Sequence, residues 1–328
     1  MFNIALFGSG RIGQVHAVNI ERNSESNLYS LVEPNDQYAE AFCKQYPNVK
    51  RQSVEEAMND KTVDAVCICS STNTHANLIE LAAKAGKAIF CEKPIDLSLE
   101  RVHECLTTVE KTKVPFLIGF NRRFDPHFLA LKKALDEQKI GKPATMVITS
   151  RDPAPAPAEY SKSSGGMFKD MSIHDLDMAC FILGEKPVSI TAHGSCHVDP
   201  AIGEAGDIDT GIIVLTFPSG ATATIFNSRR SGYGYDQRME VHGETGMLQV
   251  ANVTESQLFH SSKNGIESTT PLYFFLQRYQ QAYADEWVHF VDVLKGGKPR
   301  CTGIDGELSL QLAEKAKESM EQQKTIML

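Results

Sequence analysis

Three side chains of this 328-residue chain are suited to moving a proton. Lys93 lies in Cys91-Glu92-Lys93-Pro94, directly after a short apolar run, while Asp170 and His174 are four residues apart and would share one face of a helix. An imidazole titrates near neutral pH, a carboxylate can orient it, and a nearby cation with partial burial lowers the pKa of a lysine. We expect Lys93, Asp170 and His174 to form a catalytic set for proton transfer.

Two more acids follow these residues in the segment GGMFKDMSIHDLD (165–177). Asp175 and Asp177 lie close to the candidate set and could either belong to it or be ordinary helix charges. We expect them to be ordinary charges on the surface of the helix.

A glycine-rich motif near the start of the chain indicates a nucleotide site. Gly8-Ser9-Gly10-Arg11-Ile12-Gly13 fits G-x-G-x-x-G and stands between a predicted strand and a predicted helix. The first glycine permits a tight turn, the second lets backbone approach a pyrophosphate, and the third allows close packing of helix on strand. The amino end of the helix favours the anion. We expect all six residues to contact a dinucleotide.

An acid follows the motif at the spacing that dinucleotide sites require. Glu33 stands about 20 residues beyond Gly13, at the end of the second predicted strand. A carboxylate there accepts hydrogen bonds from a ribose 2′-hydroxyl and repels a 2′-phosphate. The sequence therefore predicts NAD rather than NADP, with the neighbouring Lys50 and Arg51 as the counter-argument.

Polar residues after two later strands complete the predicted cofactor site, because doubly wound sheets bind ligands at the carboxyl ends of their strands. One of these residues, His75, could instead pack at the start of a helix and make no contact with the cofactor. The expected contacts are Ser70, Thr72, Asn73 and His75 after one strand, and Glu92 and Lys93 after the next.

The elements that must position these residues are visible as apolar runs. Runs of about five residues, rich in Val, Ile, Leu and Phe, alternate with helix-like segments, which is the pattern of strands buried on both faces of a parallel sheet. The runs are 3–7, 29–33, 65–69, 88–91 and 115–119, and the helices begin near Ile12, Asn35, Ser53, His75 and Ser98. The sequence predicts an α/β fold with a doubly wound Rossmann sheet over residues 1–120.

The pattern changes after residue 121. A helix, a strand, a proline-rich loop that we expect to be the ordered rim of a site, and a second helix precede closely spaced strands, which predict an antiparallel meander. In order, these are 128–138, 144–150, 151–160, a helix from near Ser172 to Gly184, strands 188–194, 210–217, 221–227, 238–242 and 247–250, and helices 273–294 and 306–323. We expect residues 121–328 to form a domain for substrate binding and oligomerisation.

Composition excludes several classes of function. A net charge of −8 disfavours nucleic-acid binding, and no stretch has the 18 or so apolar residues of a membrane span. The eight cysteines form no C-x-x-C pair and are not clustered with histidines, so we expect reduced thiols in a cytoplasmic protein and no metal site.

Several motifs in order resemble the Gfo/Idh/MocA oxidoreductases, and in detail their inositol 2-dehydrogenase branch. They are GSGRIG (8–13), CEKP (91–94), GFNRRFDPHF (119–128), SRDPAPAPAEY (150–160), GGMFKDMSIHDLD (165–177) and RSGYGYDQRMEVHGETGML (230–248). The resemblance implies a Rossmann domain followed by an α/β domain with an open, mainly antiparallel sheet, commonly in a tetramer. It also implies catalysis by Lys93, Asp170 and His174.

Substrate contacts are implied for the same three residues and for Arg122, Asp152 and Tyr235. Arg122 could instead bind a backbone carbonyl, Asp152 could form a local ion pair, and Tyr235 could serve packing. We therefore predict NAD-dependent oxidation of a ring secondary alcohol of a cyclic polyol, with myo-inositol to scyllo-inosose as the leading case. An aldose or other polyol dehydrogenase and a non-catalytic NAD-binding regulator remain alternatives, and the immediate base is Lys93 or His174.

Overall fold

The computed structural model describes residues 1–328 apart from the side chain of Lys162. It divides into two compact units: Met1–Phe124 with Ala282–Leu310, and Asp125–Gln281 with Gln311–Leu328. Among the described residues, no helix combines the length and the apolar character needed to cross a membrane.

The first unit contains a six-stranded parallel sheet, which confirms the predicted Rossmann fold. Its strand order is β3-β2-β1-β4-β5-β6. The strands are β1 (Phe2–Phe7), β2 (Ser26–Val32), β3 (Lys50–Arg51), β4 (Ala65–Ile68), β5 (Ala88–Glu92) and β6 (Phe116–Gly119), and the helices are α1 (Arg11–Arg22), α2 (Asp36–Gln45), α3 (Val54–Asn59), α4 (Thr72–Lys84) and α5 (Leu99–Thr112). The two-residue β3 was not predicted, since both of its residues are exposed and polar.

Local sequence explains where these elements begin. Every residue of β4 and of β5 is buried, as expected for central strands covered on both faces. Ser53 and Glu56 form a reciprocal capping box at the start of α3, and Ser98 caps α5. Helix α4 begins at Thr72, somewhat before the expected His75, with Ser71 at its N-cap position but without a capping hydrogen bond from the Ser71 side chain.

The second unit contains a seven-stranded mixed sheet of order β12-β11-β7-β10-β9-β8-β15, and a separate hairpin of β13 and β14. Its strands are β7 (Pro143–Arg151), β8 (Ser189–Ser195), β9 (Thr210–Thr216), β10 (Thr222–Ser228), β11 (Asp236–Gly243), β12 (Met247–Val250), β13 (Phe259–Ser262), β14 (Gly265–Ser268) and β15 (Ile326–Met327). The remaining helices, in chain order, are α6 (Pro126–Asp136), α7 (Ala158–Ser164), α8 (Ile173–Leu183), α9 (Pro200–Glu204), α10 (Phe275–Arg278), α11 (Gln280–Leu294) and α12 (Gly303–Gln322).

The expected meander is only partly correct. Strands β8, β9 and β10 pair antiparallel in sequence order, but β7 lies between β10 and β11 and runs parallel to β10. Strand spacing cannot show that an earlier strand inserts between two later ones. Two helices, α10 and α11, stand where one continuous helix was expected, and α7 begins inside the proline-rich segment and extends four residues beyond it.

The segment Ala282–Leu310 packs with the first unit. Trp287 on α11 is fully buried, and its indole N–H donates to Ser26 Oγ at 3.0 Å. Its ring lies 5.9 Å from Phe90 and 5.3 Å from Phe290. This aromatic cluster places α11 against β5.

A buried ion pair in the second unit supports a test of stability. Asp125 Oδ1 caps α6 by accepting from the backbone N–H of His127 at 3.0 Å, and Asp125 Oδ2 lies 2.5 Å from Arg278 Nη1, with both side chains almost wholly buried. Asp125→Ala leaves the guanidinium without its carboxylate and removes the cap. We expect it to lower the free energy of unfolding by about 3–5 kcal/mol in urea titrations followed by circular dichroism.

Asp136→Ala provides the control, because Asp136 is the exposed partner of Lys132 on the same helix. It should cost less than about 1 kcal/mol. Equal losses in the two variants would contradict the assigned role of the buried pair.

Candidate active site

The glycine motif forms a turn that packs tightly on one side and is open on the other. Gly8 has a φ of +91°, and a Cβ there would lie 2.9 Å from the backbone of Ser70. A Cβ on Gly13 would lie 2.1 Å from the carbonyl oxygen of Gly8, whereas one on Gly10 would meet nothing within 4 Å. The loop therefore leaves space for a ligand beside Gly10, at the amino end of α1, where backbone N–H groups favour an anion. These residues fit a dinucleotide pyrophosphate.

Glu33 is held against the glycine motif. Its Oε2 accepts hydrogen bonds from the backbone N–H and the hydroxyl of Ser9, both at 2.9 Å, and its Oε1 accepts from the backbone N–H of Asn35 at 3.0 Å. The carboxylate thus has a fixed position at the end of β2, where a ribose 2′-hydroxyl is recognised in Rossmann folds.

The two cations that could favour a 2′-phosphate have partners of their own. Arg51 Nη2 lies 2.5 Å from Asp36 Oδ1 and 3.2 Å from the carbonyl oxygen of Glu33. Lys50 Nζ donates to the hydroxyl of Tyr29 at 2.7 Å. This arrangement fits NAD better than NADP, because a 2′-phosphate would have to compete for these cations beside the Glu33 carboxylate.

Residues after β4 form the next part of the site. Ser70 Oγ lies 2.7 Å from Thr74 Oγ1, while Thr72 is half-buried and Asn73 exposed at the start of α4. His75 is buried, with Nδ1 2.8 Å from the carbonyl oxygen of Pro94 and Nε2 2.9 Å from that of Ser70. Its ring therefore links the segments that follow β4 and β5.

Lys93 lies between two anchored residues. Glu92 before it pairs with His16 of α1 through Oε1 and Nε2 at 2.8 Å, and the carbonyl of Pro94 after it faces His75. The Lys93–Pro94 peptide bond is cis. Contacts on both sides of Lys93 hold its backbone at the carboxyl end of β5.

Arg122 and Arg123 follow β6 in a 3₁₀ turn (Asn121–Phe124), and both are buried. Arg123 donates to the carbonyl oxygen of Arg300 at 2.9 Å and to Asp305 Oδ1 at 3.1 Å. Those contacts give Arg123 a structural role in the first unit, and Arg122 occupies the preceding position at the strand end.

In the second unit, Asp170 belongs to a π-helical turn (Phe168–Ser172) that leads into α8, which carries His174. Such turns are rare and occur frequently at functional sites. Asp170 Oδ2 lies 3.0 Å from Arg229 Nη1, and its Oδ1 accepts from the hydroxyl of Tyr160 at 3.1 Å.

Arg229 joins two of the predicted site residues. The same Nη1 lies 3.4 Å from Asp152 Oδ2, so one guanidinium contacts the carboxylates of Asp152 and Asp170. Burial opposes the charge of Arg229, but the two carboxylates outweigh burial and raise the pKa of its guanidinium. A fixed positive charge therefore balances this acidic pair.

Asp175 and Asp177 differ from the expectation of exposed helix charges, since both are buried. Asp175 accepts hydrogen bonds from Ser150 Oγ at 2.9 Å and from Asn227 Nδ2 at 2.7 Å. Asn227 Oδ1 in turn accepts from the hydroxyl of Ser172 at 2.6 Å. Helix α8 packs on the sheet through these polar contacts, which anchor its first turn directly beside His174.

Tyr235 is buried directly before β11. Its backbone N–H donates to the carbonyl of Leu272 at 3.0 Å, and its ring lies 6.0 Å from that of Tyr279 in an edge-on arrangement. The packing role considered for Tyr235 therefore has observed contacts, and its contact with a substrate stays a prediction.

Sequence reasoning missed Arg229 and Tyr160. Strands β7 and β10 run parallel with Arg151 opposite Ser228, so Asp152 and Arg229 follow neighbouring strand ends. This strand pairing is the information that would have predicted the contact between Asp152 and Arg229, and the spacing of strands along the sequence does not give it. Tyr160 lies at the end of the proline-rich segment that was predicted to be the rim of a site.

The fold and the glycine motif together define a dinucleotide-binding oxidoreductase with a separate α/β unit. Residues 2–120 match the family model described as "Oxidoreductase family, NAD-binding Rossmann fold", and residues 128–249 match "GFO/IDH/MocA C-terminal domain". The chain belongs to the Gfo/Idh/MocA family, and its cofactor is NAD.

Individual relatives extend this comparison. Inositol 2-dehydrogenase of Rhizobium meliloti (strain 1021) is 47% identical over 98% of this chain and 97% of that protein. The crystal structure of a myo-inositol dehydrogenase from Corynebacterium glutamicum has a TM-score of 0.94 at 38% identity, covering 100% of this chain and 99% of that one. The scyllo-inositol dehydrogenase from Lactobacillus casei, crystallised with NAD(H) and scyllo-inositol, has a TM-score of 0.92 at 29% identity, with 100% and 99% covered.

The position of Glu33 predicts its effect on cofactor choice. Glu33→Ala removes the acceptor for a ribose hydroxyl and the repulsion of a 2′-phosphate, so NAD should bind about tenfold more weakly and the preference over NADP should narrow. Titration calorimetry with both cofactors measures the change.

Glu40→Ala is the matched control, because it removes an exposed carboxylate from α2 without touching the glycine motif. A Glu33→Ala protein that keeps the cofactor preference of the Glu40→Ala protein would refute the role of Glu33.

Proposed function

We propose that this protein is an NAD-dependent dehydrogenase that oxidises a ring secondary alcohol of a cyclic polyol, with myo-inositol to scyllo-inosose as the leading reaction. The observation that carries the proposal is the position of Lys93 at the carboxyl end of β5, on the same sheet edge as the glycine motif that fits a dinucleotide. The same chain holds Asp170 and the first turn of the helix with His174 in place by hydrogen bonds and an ion pair. The relatives named for inositol oxidation support the substrate class.

The proposed reaction needs a base for the hydroxyl proton. The glycine motif and Glu33 would hold NAD, which would supply the hydride acceptor for the carbon that bears the reacting hydroxyl group. We propose either Lys93 or His174 as the base that removes the proton from the hydroxyl oxygen. Asp170 orients the basic groups and compensates their positive charge, while Arg229 and Tyr160 hold its carboxylate in place.

Further contacts with the polyol are proposed for Arg122, Asp152 and Tyr235. A guanidinium donates to hydroxyl oxygens and a carboxylate accepts from hydroxyl groups, so the three residues offer complementary partners to a ring of alcohols. The contact between Asp152 and Arg229 supports a fixed orientation of that acceptor.

The proposal also covers the organisation of the chain. Residues 1–120 would bind NAD, and residues 121–328 would bind substrate and form the contacts of a homotetramer, except for Ala282–Leu310, which pack with the first unit. In the described residues none of the eight cysteines forms a disulfide, which supports a reducing compartment, and we propose the cytoplasm.

Loss of the Lys93 amine should reduce turnover while cofactor binding survives. Lys93→Ala is expected to lower kcat by about 10²–10⁴-fold, because a positioned acid–base group contributes that much. Stopped-flow measurement of NADH formation gives kcat, and calorimetry gives the NAD affinity. Lys84→Ala, which removes an exposed lysine from α4, should keep both values, and near-normal turnover in Lys93→Ala would overturn the assignment.

A panel of alcohols tests the substrate class. NADH formation is measured with myo-inositol, scyllo-inositol, D-chiro-inositol and glucose, with NAD and NADP in parallel. We expect the highest kcat/KM for an inositol with NAD. Higher kcat/KM for glucose would make the protein an aldose dehydrogenase, and turnover of none would favour a non-catalytic NAD-binding regulator.

A further inference from the structure

Three titratable side chains meet inside the first unit, and none of them transfers the proton or the hydride in the proposed reaction. His16 comes from α1, Glu92 from the end of β5 and Glu286 from α11. One side-chain nitrogen or oxygen atom of each residue lies within 4.8 Å of the corresponding atoms of the other two residues, and His16 Nε2 is 2.8 Å from Glu92 Oε1. We call these residues the buried trio.

Glu286 is the unusual member of the buried trio. It is fully buried, and neither of its carboxylate oxygens has a hydrogen-bond partner among the described residues. The groups that face it are His16 of α1, Glu92 of β5 and the Cys67 thiol of β4. An ionised carboxylate without donors is very costly in such a place, and a second carboxylate beside it adds repulsion.

Burial first, and then the charge of Glu92, raise the pKa of Glu286 well above its usual range. A neutral carboxylic acid removes the repulsion and supplies an O–H donor. The acceptor within reach is the Glu92 carboxylate, either directly or through one water molecule.

The surroundings of His16 indicate which of its nitrogens carries the proton. Its Nδ1 is buried and has no hydrogen-bond partner among the described residues, while its ring packs on Phe90 at 4.7 Å and on Tyr283 at 5.7 Å. An imidazolium would leave a buried N–H unsatisfied at Nδ1. A neutral ring with its proton on Nε2 donates to Glu92 instead.

We propose that Glu286 is a positioning residue: as a neutral acid it donates a hydrogen bond to Glu92, directly or through one water molecule. Together with the hydrogen bond from His16, this contact fixes the segment that carries Lys93. The buried trio then holds a single negative charge, on Glu92, the residue adjacent to Lys93. Because His16 lies on the helix that follows the glycine motif, the same contacts join the nucleotide loop to Lys93. The importance of Lys93 in this inference rests on the proposed function.

A spectroscopic measurement tests the protonation of Glu286 without any turnover. Difference infrared spectra of the full-length wild-type protein and of Glu286→Gln at neutral pH should show the carbonyl band of a protonated carboxylic acid in the wild type alone. A carboxylate band in its place would overturn the proposal. One bound divalent cation per chain in elemental analysis, lost in Glu286→Gln, would also overturn it, since the trio would then be a metal site.

The pH dependence of stability gives a second readout. A carboxyl group whose pKa is raised in the folded state contributes stability that is present below its unfolded pKa of about 4.3 and is lost as the pH rises towards the folded value. Glu286→Gln has no such proton to lose. Its thermal midpoint should therefore rise relative to the wild type between pH 5 and pH 8, and a constant difference would contradict the proposal.

Kinetics separate positioning from general damage. Glu286→Ala should lower kcat by about 10–10²-fold, as expected for a displaced catalytic group, with little change in NAD affinity, and Glu286→Gln should recover most of kcat because it keeps a donor to Glu92. Val291→Ala is the control, because it creates a buried cavity on the same helix without removing a hydrogen-bonding group.

An equal loss of kcat in Val291→Ala and Glu286→Ala, or no recovery in Glu286→Gln, would reduce Glu286 to a structural residue. These outcomes differ from failure of the proposed function. If the proposed function fails, the wild type turns over no polyol, while the infrared and stability results still decide the protonation state of Glu286.

Discussion

The parallel pairing of β1, β4 and β5 is the constraint on which the candidate site depends. Parallel neighbours end at the same edge of a sheet, so the residues that follow these strands converge there although they are far apart in sequence. The glycine motif, the Ser70 segment and Lys93 all follow one of the three strands. Only glycine fits at positions 8 and 13, because a side chain would enter neighbouring backbone.

Hydrogen bonds of buried polar groups then set the detailed geometry. His16 and His75 hold the residues on either side of Lys93, and Glu33 is fixed by Ser9. In the second unit, Asp175 anchors the start of α8, and Arg229 orients Asp170. Each of these groups would be costly to bury without its partner, so the partners restrict the positions that the site residues can take.

Electrostatic balance follows the same principle in both units. Asp152 and Asp170 share the guanidinium of Arg229, whose charge is retained despite burial. Glu92 and Glu286 lie close together with a histidine, and one proton on Glu286 reduces their repulsion in the way that Arg229 does for the other pair. Acids that must stay close therefore need either a cation or a proton between them.

Local patterns in the sequence determined much of this protein. The apolar runs predicted five strands of the first sheet, and the glycine motif with Glu33 predicted the NAD site, because strand burial and tight turns depend on residues close together in the chain. The tertiary structure alone decided the insertion of β7 between β10 and β11, the burial of Asp175, the partnership of Arg229 with two aspartates, and the meeting of Glu286 with Glu92. Those contacts join residues distant in sequence, and their energies depend on which surfaces the fold brings together, which no local spacing encodes.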